Sequence, residues 1–167
     1  MAVVRSHKDV ETLTMTTVAE FDASVERVWQ LWLDPRQLER WWGPPTWPAT
    51  FEEHELTVGA QSRYYMTGPE GEKARGWWTI TAVDAPRRLE LDDGFADENW
   101  EPAPGAPVHM TITIEPLMVG SAPAGTRMTI LSKFADLEQL EQMVAMGMEE
   151  GLSQAIGQID TLLAERP

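Results

Sequence analysis

Five of the eight tryptophans in this chain of 167 residues, Trp29, Trp32, Trp41, Trp42 and Trp47, lie between Asp22 and Trp47. They sit in two helical patterns separated by Asp34-Pro35 and closed by Gly43-Pro44-Pro45. Val25, Val28, Trp29 and Trp32 recur at i, i+3, i+4 and i+7, and Leu38, Trp41 and Trp42 at i, i+3 and i+4, so each apolar set occupies one face. Helices of about ten residues are marginal in water. An aromatic side chain buries roughly 150–250 Å², worth on the order of 4–6 kcal/mol at about 25 cal/mol per Å². The pair therefore requires a larger surface to dock on, and the rest of the chain supplies it.

The length suits a single domain spanning residues 1–167, with 1–11 expected to be a flexible N-terminus. Hydrophobic residues form 43 % of the chain and charged residues 24 %, the balance of an ordinary globular protein. The formal charge of -14 would repel a phosphate backbone and an anionic bilayer alike, which argues against nucleic acid and membrane as partners. With no cysteine there are no disulfides, thiolate nucleophiles or Cys-ligated metals, and a reducing compartment fits. The first residues carry Arg5, Lys8, Asp9 and Glu11 without an unbroken apolar run, so the expected location is the cytoplasm.

Residues 13–21 read as a first strand, and Asp22 to Ser24 supply cap-type residues for the helix that follows. Pro35 stands at the first position of a second helix. Strands are expected at 50–58, 61–67, 73–83 and 88–95, punctuated by Gly59, by Gly68-Pro69-Glu70-Gly71 and by Asp84-Ala85-Pro86. Val108, Met110, Ile112 and Ile114 alternate with His109, Thr111, Thr113 and Glu115, the mark of a strand buried on one face. Met128, Ile130 and Phe134 repeat the pattern, with Leu131 the exception, so the sheet is antiparallel. From Asp136 a helical pattern continues to Glu165 through Leu140, Val144, Met148, Leu152, Ile156, Ile159 and Leu163. Residues 96–107 hold Pro102, Pro104 and Pro107 and read as a loop carrying Trp100.

One strand, two short helices, six further strands and a long helix make an α+β helix-grip fold: a curved antiparallel sheet of about seven strands grasping a long C-terminal helix. The chain resembles the SRPBCC superfamily, also called START-like. Within it, Ser24-Val25-Glu26-Arg27-Val28-Trp29, Asp34-Pro35 and Arg40-Trp41-Trp42-Gly43-Pro44 are similar to the signature of homologues of the activator of heat-shock chaperone ATPase. Gly68 to Gly71, Val83 to Leu89 and the stretch from Gly151 to Leu163 continue the resemblance. It implies a cavity between sheet and helix that, across the superfamily, holds sterols, lipids, polyketides and other apolar molecules. Two departures remove bulk: Ser62 follows Gly59-Ala60 where the family has an aromatic, and Leu152 stands where it often has tryptophan. If both face inward, they enlarge the void.

The expected ligand-binding residues are Trp41, Trp42, Ser62, Tyr64, Met66, Trp78, Leu91, Trp100, Met110, Met143, Gly147, Met148, Gly151 and Leu152. Parity with Ile80 and Ala82 selects Trp78 over Trp77, whereas pairing across the Gly68 to Gly71 turn would bring Trp77 beside Ser62 and Tyr64. The Tyr64 hydroxyl offers a polar handle in an apolar pocket. Gly147, Gly151 and Gly157 each cost about 1 kcal/mol in a helix interior, so either close approach to the sheet or room for a ligand should compensate. Methionine at 143, 146 and 148 suits varied apolar shapes, although such a stripe more commonly packs a core. Trp100 is expected to act as a lid.

His7 falls in the N-terminal segment and His109 on a polar parity, while His54, among Glu52, Glu53 and Glu55, reads as part of a solvated face. No second histidine stands at a ligand spacing, and no serine elbow or phosphate loop is present, so neither catalytic nor metal residues nor a cofactor are expected. Arg27, Arg40, Arg63 and Arg75 could meet an anionic ligand, with surface solvation the default.

Three functions compete. A carrier of a small apolar ligand needs an enclosed void, a chaperone-activator-like partner protein needs an exposed patch, and a cyclase or hydrolase needs converging titratable groups inside. Titratable residues are scarce at the inward positions, which favours the carrier over an enzyme. The sequence leaves open a homodimer through a sheet edge or the C-terminal helix.

Overall fold

The computed structural model describes residues 3–165, with side chains from Arg5 onward. Eight strands form one antiparallel sheet: β1 (Val3–Asp9), β2 (Thr14–Phe21), β3 (Ala49–Glu53), β4 (Gln61–Thr67), β5 (Lys73–Asp84), β6 (Arg88–Ala96), β7 (Val108–Val119) and β8 (Ala122–Lys133). Their spatial order is β1-β2-β8-β7-β6-β5-β4-β3. Successive hairpins account for every neighbour from β3 to β8, and β2 closes on β8 with Thr14 opposite Lys133 and Phe21 opposite Thr126.

The N-terminal segment is an edge strand rather than a loose lead-in, since β1 pairs with β2 from Val3 to Asp9. Its alternation is hidden because Arg5, His7 and Lys8 all lie at an exposed sheet edge, where charge is the usual guard against unwanted pairing.

Between β2 and β3 the chain forms α1 (Val25–Leu33) and α2 (Pro35–Leu38). Ser24 caps α1 by accepting from the Arg27 N–H at 3.1 Å, and Asp34 caps α2 by accepting from the Arg36 N–H at 2.9 Å. The second helix is a single turn. Trp41 and Trp42 follow it, and both of their backbone N–H groups donate to the Leu38 carbonyl, so the i+3, i+4 spacing survives without a longer helix. The Trp32 ring meets Trp41 edge-on at 4.8 Å, Trp42 at 5.9 Å and Trp78 of β5 at 6.1 Å. The aromatic cluster thus binds the helix pair to the inner face of the sheet. Its indole N–H points at the Met128 Sδ, 3.3 Å away on β8.

The C-terminal helical region is divided into α3 (Leu137–Ala145), α4 (Met148–Gly157) and α5 (Ile159–Ala164). The break has a local cause. Gly147 adopts φ +85°, a conformation that L side chains avoid, and separates the last turn of α3 from the first of α4. The apolar spacing continues across it, which is why periodicity alone predicts one helix. α4 and α5 bury Leu152, Ala155, Ile156, Ile159 and Leu162, whereas α3 buries only Leu140. The first of these helices stands off the sheet.

A Cβ built at Gly147, Gly151 or Gly157 would meet nothing within 4 Å. Close approach to the sheet is therefore not the reason for these glycines. Gly147→Ala should cost about 1 kcal/mol through its left-handed backbone, while Gly151→Ala should gain up to about 1 kcal/mol in the helix. Opposite shifts in the urea midpoint of the two variants are the expected result, and equal shifts would contradict it.

Candidate functional site

The inner face of the sheet places Tyr64 and Met66 on β4, Trp78 on β5, Asp93 on β6 and Val108 and Met110 on β7 in the shared parity that the register fixes. Trp78 lies opposite both Ser62 and Asp93. The pairing of β6 with β7 ends at Asp93 and Val108. Beyond it the chain leaves the sheet, and Ala103 returns to donate its N–H to the Phe95 carbonyl at 2.8 Å. This unzipped end forms one side of an opening, with 103–107 along its rim and α3 across from it. Gln139 of α3 ties the rim down by donating from Nε2 to the Ala106 carbonyl.

Behind that mouth lies a cavity of about 630 Å³. The sheet contributes Tyr64, Met66, Asp93, Phe95, Val108 and Met110, and the tryptophan turn contributes Trp42 and Pro44. The helices contribute Met143, Met146, Gly147, Met148, Gly151 and Leu152. Carboxylates at Asp93, Asp136 and Glu138 border it, and no Lys, Arg or His does among the described residues.

Of the residues expected from sequence, Trp42, Tyr64, Met66, Met110, Met143, Gly147, Met148, Gly151 and Leu152 converge on this cavity. Trp41, Ser62, Trp78 and Leu91 do not border it and are buried in the packing behind the wall. Trp41 donates its indole N–H to the Leu31 carbonyl at 3.0 Å. Ser62 is bound to His54, so only Leu152 of the two bulk-removing positions opens onto the void.

Trp100 lies on the opposite face of the sheet. The Asp97 carboxylate accepts the N–H groups of Asn99 at 2.8 Å and Glu101 at 3.0 Å, turning the indole outward. There the guanidinium carbons of Arg63 and Arg75 stand 5.6 and 5.8 Å from its ring centre. The lid expectation is corrected: the rim is made by the second half of the loop, and Trp100 anchors the first half elsewhere.

His54 is also corrected. Its Nε2 donates to the Trp32 carbonyl at 2.6 Å, which leaves Nδ1 to accept from the Ser62 hydroxyl at 2.8 Å. Burial lowers its pKa and favours this neutral ring. It clamps α1 to the sheet, while Glu52, Glu53 and Glu55 around it are exposed.

Sequence reasoning missed several wall residues, Trp77, Phe95 and Val108 among them, and one with acid–base chemistry deep in the site, Asp93. Leu89 and Leu91 are fully buried four and two positions earlier on the same strand face, so parity alone directs Asp93 inward. The Tyr64 hydroxyl donates to Asp93 Oδ1 at 2.9 Å. That bond depends on Gly76, which lies between them on β5, because a Cβ there would collide with the Tyr64 ring. Apolar walls raise the Asp93 pKa to about 7, against the favourable effects of Tyr64 and Trp78. Desolvation, and then the Asp93 charge, drive the Tyr64 hydroxyl well above its ordinary value.

Between the unfolded pKa of 3.8 and the folded value of about 7, the native chain holds a proton that the unfolded chain has released, so stability contributed by Asp93 falls as pH rises. Asp93→Asn should match the parent near pH 4 and exceed it at pH 8 by on the order of 2 kcal/mol, allowing for screening through the open mouth. Urea unfolding at the two pH values reads this directly. A parent and variant that run parallel across the range would contradict it.

An open antiparallel sheet gripping helices around an apolar hollow defines a helix-grip domain of the SRPBCC type. The model of Activator of Hsp90 ATPase homolog 1-like proteins matches residues 22–164, and the chain belongs to that family. A protein from Arthrobacter aurescens, solved by NMR, is 58 % identical with a TM-score of 0.91, over 98 % of this chain and 93 % of its own. A crystal structure from Mycobacterium smegmatis is 46 % identical with a TM-score of 0.86, over 97 % of this chain and 98 % of that one. DynU16, a protein of the dynemicin biosynthetic locus, shares the fold at 17 % identity and a TM-score of 0.61, over 89 % of this chain and 48 % of its own. No functionally curated protein matches significantly. Among the described residues no helix is long and apolar enough to cross a membrane.

Proposed function

We propose that this protein binds and carries a small hydrophobic molecule in the cavity between the sheet and α3–α4. The observation that carries the reading is the cavity itself: about 630 Å³, walled mainly by methionine, aromatic and aliphatic side chains, and open to solvent. That volume lies within the roughly 300–1,000 Å³ typical of small-molecule sites. Five methionines, Met66, Met110, Met143, Met146 and Met148, line it, and their unbranched, polarizable side chains adapt to more than one apolar shape. Proteins of this fold type commonly bind hydrophobic ligands.

The lining chemistry narrows the ligand's charge. Arg27 is engaged with Gln37 and the Leu162 carbonyl, Arg40 with Glu165, and Arg63 and Arg75 with the Trp100 ring. None of these cations borders the hollow, so an anionic ligand would face carboxylates without a counter-charge.

Titration with the neutral fluorophore 1-N-phenylnaphthylamine tests the proposal. Saturable enhancement at one probe per chain is expected. Emission that rises without saturation, or not at all, would refute it.

A further inference from the structure

The carboxylates of β6 divide between the two faces of the sheet. Glu90 and Asp92 lie on the outer face and share His109 of β7, which stands 3.0 Å from the first and 2.8 Å from the second, and Arg88 adds a contact of 3.1 Å to Glu90. Asp93 lies on the inner face with Leu89 and Leu91, and among the described residues it makes no ion pair. Neutral groups attend it instead. The Tyr64 hydroxyl donates to Oδ1 at 2.9 Å, and the indole N–H groups of Trp42 and Trp78, both covered by protein, are directed at this pair.

Donors aimed at a carboxyl stabilise its ionised form, while the apolar wall opposes that form and holds the Asp93 pKa at about 7. Such a group is electrostatically incomplete, because a desolvated charge is well tolerated only beside an opposite one. The partner can arrive from the cavity. Asp93 keeps accessible surface where Tyr64 and Trp78 beside it are buried, and it lines the hollow. The other charged residues that border the hollow, Asp136 and Glu138, are again carboxylates, and no Lys, Arg or His joins them among the described residues. A field of one sign draws in a cation.

We propose that Asp93 anchors the ammonium group of an amphiphilic amine whose hydrocarbon body fills the methionine-lined part of the cavity. The anchor rests on the carrier reading and specifies its ligand class. Tyr64 already occupies Oδ1, so a compact ammonium fits better than a guanidinium, whose two-pronged fork calls for both carboxyl oxygens. Burial of the body supplies affinity, and the ion pair supplies selection by charge.

Displacement of 1-N-phenylnaphthylamine by three probes of one shape provides the test: 2-(aminomethyl)naphthalene, 2-(hydroxymethyl)naphthalene and 2-ethylnaphthalene. At about 0.15 M salt, where distant surface charge is screened, the amine should displace at a concentration about tenfold lower than either neutral probe. Asp93→Asn keeps the shape and an acceptor for Tyr64 but removes the charge, so it should weaken the amine about tenfold and leave 2-ethylnaphthalene within twofold. Should that variant fail to fold, the parent protein still decides. The Asp93 carboxyl, followed by its ¹³C shift against pH, titrates at about 7 in the free protein; saturation with the amine should bring the midpoint to about 6, since a tenfold preference for the ionised form is one pH unit. Saturation with 2-ethylnaphthalene should not lower it. Equal displacement by amine and hydrocarbon, an alcohol that matches the amine, an Asp93→Asn protein that holds the amine as tightly as the parent, or a midpoint the amine leaves unmoved would overturn the anchor while the carrier reading stands. Failure of the fluorophore and of all three probes to bind would overturn both.

Discussion

Trp32→Ala should lower stability by about 4 kcal/mol, the loss typical of truncating a large buried aromatic. Trp32 is wholly inaccessible and touches every layer of the inner face. Its ring packs on Trp41, Trp42 and Trp78, its indole N–H meets Met128 of β8, and its carbonyl receives the His54 proton. The backbone bond to His54 survives truncation, so the loss falls on packing and on the cavity left behind. Trp32→Phe restores most of the volume and should cost only about 1–2 kcal/mol. Urea unfolding of both variants checks the pair. A Trp32→Ala cost below about 1.5 kcal/mol would mean that the helix pair does not depend on this cluster.

Gly151→Phe should abolish most apolar-probe binding, raising the dissociation constant of 1-N-phenylnaphthylamine at least about tenfold, while the fold stays as stable as the parent. Gly151 borders the cavity, and a Cβ there would find open space. A phenyl ring extended from it enters the hollow and takes the ligand's place, and removal of a helix glycine offsets the cost of any crowding. Binding and stability thus separate: Trp32 variants move stability, and Gly151→Phe moves binding. Undiminished binding in a folded Gly151→Phe protein would locate the probe elsewhere.

Much of the architecture was legible because it follows from two periodicities. Alternation along Val108 to Ile114 and Met128 to Ile130 is what a half-buried strand requires, and all of those apolar residues are buried. The i, i+3, i+4 pattern through Val28, Trp29 and Trp32 likewise defines the buried face of α1. Less legible were features in which a single backbone angle or a charged edge overrides the pattern. Gly147 breaks the C-terminal helix through a positive φ that no spacing announces, and β1 carries edge charges that resemble a loose terminus.

Site residues were harder for a related reason. Parity identifies which side of the sheet a residue faces but not how far along that face the helices fill it. Trp78 and Ser62 face inward and lie under packed aromatics, while Tyr64 and Met66, two and four residues beyond Ser62, border the void. Asp93 was readable from Leu89 and Leu91, and an acidic residue on a buried parity was the clearest unused signal in the chain. Trp100 was misleading because nothing in its composition reveals that the Asp97 turn directs it to the outer face.

The central claim is that the hollow behind the mouth, and not the outer face of the sheet, receives an apolar molecule. Backbone amide NMR shifts during a titration with 1-N-phenylnaphthylamine test it most directly. The account predicts that the largest shifts gather at Met66, Asp93, Val108, Met143 and Gly151. Shifts centred on Arg63, Thr79 and Trp100, or spread evenly over the surface, would contradict it.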